Sequence, residues 1–162
     1  MYSAYQLSSI ERERLLQCIT PKYPKVYADH VTVQFGGQNI KTPKDAPLEI
    51  VGKADDNNGL EALIVRVGGN LQREDGKIFH ITWSLDPQKK TPPTIDSQEI
   101  PYRPVHSNAL VCRLINADGT PLTPPDSHWT LALFPNPIPI QAKPTLKYTS
   151  ADRKLFEQNF SK

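Results

Sequence analysis

The chain has 162 residues, 38% of them hydrophobic and 22% charged, which suits one globular domain with a real core and excludes a disordered segment. A net charge of +2 admits a phosphate-bearing ligand without demanding a nucleic-acid groove. No apolar run approaches the roughly 18 residues of a membrane span, and the start "MYSAYQLSSIERERLL" is no signal peptide, so a cytoplasmic chain with no membrane partner is expected. Cys18 and Cys112 lie among apolar neighbours at no metal spacing, and are expected as free, buried thiols.

Taken in order, Ser8 and Glu11 form a capping box for a helix over 9–19 that stops before Pro21. Its apolar side is expected to be Ile10, Leu15, Leu16, Cys18 and Ile19. "VYADHVTVQFGG" reads as a strand closed by two glycines. "LEIVGKADDNNGLEALIVRVGG" reads as a hairpin turning at Asn57-Asn58-Gly59. "KIFHITWSL" is the next strand, ending at Asp86-Pro87. The 16 prolines cluster at 91–104 and 121–144 and predict long loops there, one of them over 87–107. A strand is expected in "ALVCRLINADGTPL", another in "HWTLALF" stopped by Pro135, and a last helix over about 151–159.

Two of these strands open alike. His30-Val31-Thr32 and His80-Ile81-Thr82 lie fifty residues apart, each at the head of an alternating run. Side chains alternate faces along a strand, so Val31, Val33 and Phe35 point one way and His30, Thr32 and Gln34 the other. Likewise Phe79, Ile81, Trp83 and Leu85 oppose His80, Thr82 and Ser84. Within each unit an imidazole and a hydroxyl stand about 7 Å apart along the backbone, close enough for both to touch one phosphate. Cleaving a phosphodiester needs a base to activate water and an acid to protonate the leaving alkoxide, roles two histidines can divide. The hydroxyls can hold the non-bridging oxygens.

These residues, "DHVTVQF" and "FHITWSL", resemble the paired motifs of the 2H phosphoesterase superfamily. The resemblance implies an α+β fold of two pseudo-symmetric lobes within a single domain over 1–162. In that fold two antiparallel sheets flank a central groove and helices are few. It implies a metal-independent phosphodiesterase without cofactor, with His30, Thr32, His80 and Thr82 as catalytic residues. Its partner would be an RNA 2′,3′-cyclic phosphate end, a 2′–5′ linkage or a cyclic nucleotide or oligonucleotide. It implies no obligate protein partner. Which histidine is acid and which base stays open.

Softer candidates surround the quartet. Tyr27 and Tyr23 can stack on a base. Lys25, Lys77 and Arg103 flank the expected groove ends and can hold phosphate. "SHWTLALF" puts His128 and Thr130 on one face as a rival second motif, but Pro124, Pro125 and Asp126 mark it as entered from a loop. His106 is expected in a loop. Two other functions fit the same residues: a binding module that holds RNA ends or nucleotides without turnover, and a zinc enzyme using His30, His80 and His128.

Overall fold

The computed structural model describes residues 1–35, 39–90, 100 and 129–147. The expected 109–122 strand and 151–159 helix lie outside these residues, as do Cys112, Arg103, His106 and His128.

The chain begins with strand β1 (Tyr2–Leu7), followed by helix α1 (Ser9–Cys18), the one α-helix among the described residues. Ser8 caps the helix, its hydroxyl accepting from the Glu11 N–H at 3.1 Å. Next come β2 (Lys25–Val26), β3 (His30–Phe35), β4 (Leu48–Asp55), β5 (Leu60–Val67), β6 (His80–Leu85), β7 (Thr130–Ile140) and β8 (Ala142–Lys147). The β4–β5 hairpin turns where Asn57 and Gly59 take φ of 57° and 95°, the left-handed values such turns require.

All the described strands join one antiparallel sheet in the order β7-β4-β5-β6-β3-β1-β8, with β2 also paired to β6. This is a sheet-rich α+β architecture with a single short helix among the described residues. The two outermost strands are consecutive in the chain. Ile140 pairs with Leu48 and Ala142 with Leu7, leaving Gln141 alone between them. The two ends of the sheet therefore meet at this corner. Helix α1 braces it: Glu11 accepts from the Gln141 N–H at 2.6 Å, and Arg14 donates to the Pro139 carbonyl at 3.1 Å.

Opposite faces of the sheet carry separate cores. Leu15 of the helix packs with Val31, Leu63, Val65, Ile81 and Trp83 on one face. Val51, Leu60, Ala62, Ile64, Leu71, Ile78 and Leu131 pack on the other. Each fully buried leucine or isoleucine contributes about 1.5–3 kcal/mol, so both faces are held by burial rather than by helix propensity. No helix among the described residues is long and apolar enough to cross a membrane.

Three sequence expectations need correction. Ile10 is 84% exposed, and Cys18 is an exposed free thiol rather than a buried one. The inward arc of α1 is Glu11, Leu15, Leu16 and Ile19, and at about 100° per residue positions 10 and 18 fall outside it. Pro135 does not stop the last predicted strand, because β7 runs to Ile140. Gly52 pairs with Leu133 but Ile50 pairs with Ile138, so residues 134–137 bulge out of the ladder and carry Pro135 and Pro137 with them. Among the described strands β7 is at the edge, a position where proline is tolerated because it gives up no ladder bond on its outer side.

Candidate active site

Val31 pairs with Ile81 across β3 and β6, and both side chains lie in the core under the helix. Alternation then sends His30, Thr32, His80 and Thr82 to the opposite face. Continuing the antiparallel register past Val31 sets Thr32 across from His80, while Thr82 takes Ala28 and leaves His30 in a bulge. The two histidines flank the Val31–Ile81 pair diagonally, and the charge of His30 is felt at His80. On the flanks, Ile64 pairs with His80 and Ala62 with Thr82, while Ala4 pairs with Thr32 and Gln6 with His30. The quartet thus sits in a setting of mostly apolar or small side chains beside the second core.

A bulge aims the first histidine. β2 and β3 form one run along β6, broken in the middle. Tyr27 and Ala28 donate to the carbonyls of Trp83 and Thr82 at 2.9 and 3.1 Å, and pairing resumes at Val31 with Ile81. Two residues, Asp29 and His30, are therefore extra on this strand. Ala28 turns the chain with φ of 47°, unusual for a non-glycine residue, and is fully buried. Bulges of this kind re-aim side chains and recur next to active sites.

His30 stands in a polar network. Its Nδ1 lies 2.8 Å from the Asp29 Oδ2. A carboxylate only accepts, so Nδ1 carries the proton and Nε2 is the nitrogen turned from Asp29. Lys147 of β8 reaches the same oxygen at 2.8 Å, and Gln6 of β1 donates to the Asp29 Oδ1 at 3.0 Å. These donors, led by His30, hold the Asp29 carboxyl well below the usual range against the effect of its partial burial. The Tyr2 ring lies 5.4 Å from the His30 ring. Burial first and the Asp29 charge second raise the Tyr2 phenol, which stays protonated.

His80 is built differently. It is 5% exposed, and its Nδ1 lies 2.7 Å from the Ile78 carbonyl. The carbonyl only accepts, so Nδ1 again holds the proton and Nε2 carries the lone pair. Loss of water pushes the His80 pKa down to about 4, with the charges of Arg73 and His30 adding to the effect and the Ile78 bond opposing it. At neutral pH the ring is uncharged. That His30 acts on His80 electrostatically fits their diagonal placement.

The other candidates separate. Lys25 and Tyr27 continue the strand just before His30, with the Lys25 Nζ 5.3 Å from the Tyr27 ring and that ring against the second core. Tyr23 donates to Asp55 at 2.7 Å and belongs to the hairpin turn instead. Lys77 lies in the turn that joins β5 to β6. Thr130 accepts from the Asn57 side chain at 2.9 Å, and two strands, β4 and β5, stand between β7 and β6. Among the described residues, no three His, Cys, Asp or Glu side chains gather to hold a metal, and the three-histidine zinc set includes His128, outside those residues.

Sequence reasoning missed Asp29, Tyr2, Lys147 and Arg73. Asp29 had a local signal, since it directly precedes the histidine in "DHVT". Tyr2 and Lys147 had none, because their strands were not expected. Arg73 lies in the turn before β6, 5% exposed, with its Nε and Nη2 on the Asp75 carboxylate at 3.1 and 2.8 Å. Compared with family models, curated proteins and solved structures, the chain matches none.

Proposed function

We propose that this chain is a phosphodiesterase of the 2H type, needing no metal, that hydrolyses a cyclic phosphate or 2′–5′ linkage in RNA ends or cyclic nucleotides. The observation that carries this reading is the shared face: two His-x-Thr units on neighbouring antiparallel strands present two imidazoles and two hydroxyls to one patch. The bilobed arrangement belongs to the same reading. β7, β4, β5 and β6 make one lobe and β3, β1 and β8 the other, with one registered pair at the β3–β6 seam. Each lobe then supplies one unit.

The environments divide the chemical roles. His80, uncharged and with its lone pair on Nε2, takes a proton from water as the water oxygen bonds to phosphorus. The bond from phosphorus to the leaving ribose oxygen breaks, and that oxygen takes the Nε2 proton of a doubly protonated His30. The product is a phosphate monoester with a freed hydroxyl. His80 has gained the proton that His30 lost, and exchange with solvent restores both rings. Thr32 and Thr82 donate hydrogen bonds to the non-bridging oxygens and hold the phosphorus in line. Each proton transfer is worth about 10²- to 10⁴-fold in rate.

The test is a substrate panel in excess EDTA: 2′,3′-cyclic mononucleotides, 3′,5′-cyclic nucleotides, 2′–5′ dinucleotides and cyclic oligonucleotides. Turnover of at least one, lost in His30→Ala and His80→Ala with binding retained, is expected. Binding without turnover makes the chain a binding module, and activity lost in EDTA and restored by zinc makes it a metal enzyme.

A further inference from the structure

We propose that Asp29, held by Lys147 and Gln6, is the positioning residue that commits His30 to the acid role. The proposal rests on the phosphodiesterase reading above but is carried by different atoms. An acid at this site must present Nε2–H to the leaving oxygen. That requires Nδ1 to be protonated and tied down, and the ring to be kept from rotating. Asp29 meets the first need directly, with its Oδ2 2.8 Å from Nδ1. It meets the second because its carboxylate cannot swing with the ring. Oδ2 also takes Lys147 from β8 at 2.8 Å, and Oδ1 takes Gln6 from β1 at 3.0 Å.

The backbone of Asp29 is fixed as firmly. Its carbonyl accepts from the Leu7 N–H at 3.0 Å and from Gln6 at 2.9 Å, and the left-handed Ala28 before it sets the bulge. A buried residue held in that conformation is strain the surrounding structure must offset, and such strain concentrates at functional positions. Among the described residues, the groups around His30 are Asp29 on its own strand, Tyr2 and Gln6 from β1, Lys147 of β8 through Asp29, and His80 across the seam. Asp29 is the carboxylate among them. His80 has a neutral carbonyl at the equivalent nitrogen. The two rings share a tautomer and differ in the charge behind them. The network's corners come from both ends of the described chain, β1 and β8, so docking of β8 beside β1 completes the acid.

The test is a comparison of wild type with Asp29→Asn. Long-range proton–nitrogen NMR of the histidine rings reads the tautomers without needing turnover. Wild type should show His30 protonated at Nδ1, and Asp29→Asn should lose that preference while the His80 signals stay put and report an intact fold. In kinetics, Asp29→Asn should lower kcat on an alkoxide-leaving substrate about 10- to 100-fold, part of the worth of a general acid. It should leave KM within about twofold and spare an aryl phosphodiester, whose leaving group departs without a proton. If the variant simply misfolds, Lys147→Met, which keeps the Asp29 carboxylate, should show a weaker form of both effects. A wild-type His30 whose neutral ring carries its proton on Nε2 rather than Nδ1, an unchanged tautomer in Asp29→Asn, or equal losses on both substrates overturns the proposal. A wild type that turns over no phosphodiester overturns the functional reading instead, and the ring spectra still decide the role of Asp29.

Discussion

Val31 of β3 and Ile81 of β6 face each other across the sheet, buried in the same core, and that single pairing fixes where both histidines go. A slip of one residue in either strand would turn one His-x-Thr unit into the core and one apolar side chain outward. The first core therefore enforces the register that the site on the other face depends on. Ile81→Ala should lower stability by about 2–5 kcal/mol through the cavity it leaves. It should also weaken the shared presentation of His30 and His80. Denaturant midpoints and rates on one sample check whether the two losses go together.

The contrast between the rings predicts different sensitivities to the leaving group. His30→Ala should cost about 10²- to 10⁴-fold on a ribose-leaving substrate and far less on an aryl phosphodiester. His80→Ala should cost both alike, because water must be activated in either case. Rates for the two substrates in each variant give the answer, and a reversed pattern would exchange the roles.

The pH behaviour follows from His80. Its native pKa is pushed down to about 4 from an ordinary value of 6.5, so between those limits the native state binds fewer protons than the unfolded chain. Stability is complete above about pH 6.5 and falls as the pH drops toward about 4, by about 3 kcal/mol in total. The depressed Asp29 carboxyl adds a further loss below the ordinary carboxylate range. Urea midpoints at pH 7, 5.5 and 4.5 should fall in order, and His80→Asn should flatten the upper part of that fall. The acid limb of kcat/KM should sit near pH 4, where the base becomes charged, rather than near 6.5.

The bulge makes its own prediction. Ala28 is fully buried with φ of 47°. Glycine relieves a left-handed backbone worth about 1–2 kcal/mol but gives up a buried methyl group and adds chain entropy, so Ala28→Gly should be nearly neutral. Ala28→Val should cost more than about 2 kcal/mol, since a β-branched side chain fits neither the conformation nor the space. The valine variant should also lose activity, because flattening the bulge turns Asp29 and His30 away. Thermal melts with parallel rates separate the two variants.

A buried charge sets a last stability test. Glu61 is fully buried, with the Lys53 Nζ 2.6 Å from one oxygen and the Ser84 hydroxyl 2.9 Å from the other. Lys53→Met should cost about 3–5 kcal/mol by leaving that carboxylate uncompensated, and adding Glu61→Gln should recover part of it. A double-mutant cycle by chemical denaturation measures the coupling.

Much of the fold was legible where periodicity and turn chemistry agree. The capped first helix, the Asn57-Asn58-Gly59 hairpin and the two His-x-Thr strands stand close to where alternation and caps put them. What escaped was set by tertiary pairing. β1 begins at the second residue, and "YSAYQL" becomes a strand because β3 and β8 flank it. β8 contains Pro144 and β7 three prolines, which local rules read as loop and edge positions accept. The same holds at the candidate site. The histidines were visible as a repeated spacing, but Tyr2 reaches His30 and Lys147 reaches Asp29 from strands that only the assembled sheet brings near.

The most direct measurement is a phosphorus NMR time course of purified, EDTA-treated protein with a 2′,3′-cyclic phosphate RNA end. The cyclic phosphate resonance should give way to that of a monoester, and neither His30→Ala nor His80→Ala should produce the change at more than about a hundredth of the wild-type rate. A wild-type spectrum that stays unchanged, or either variant keeping pace with wild type, would contradict the account.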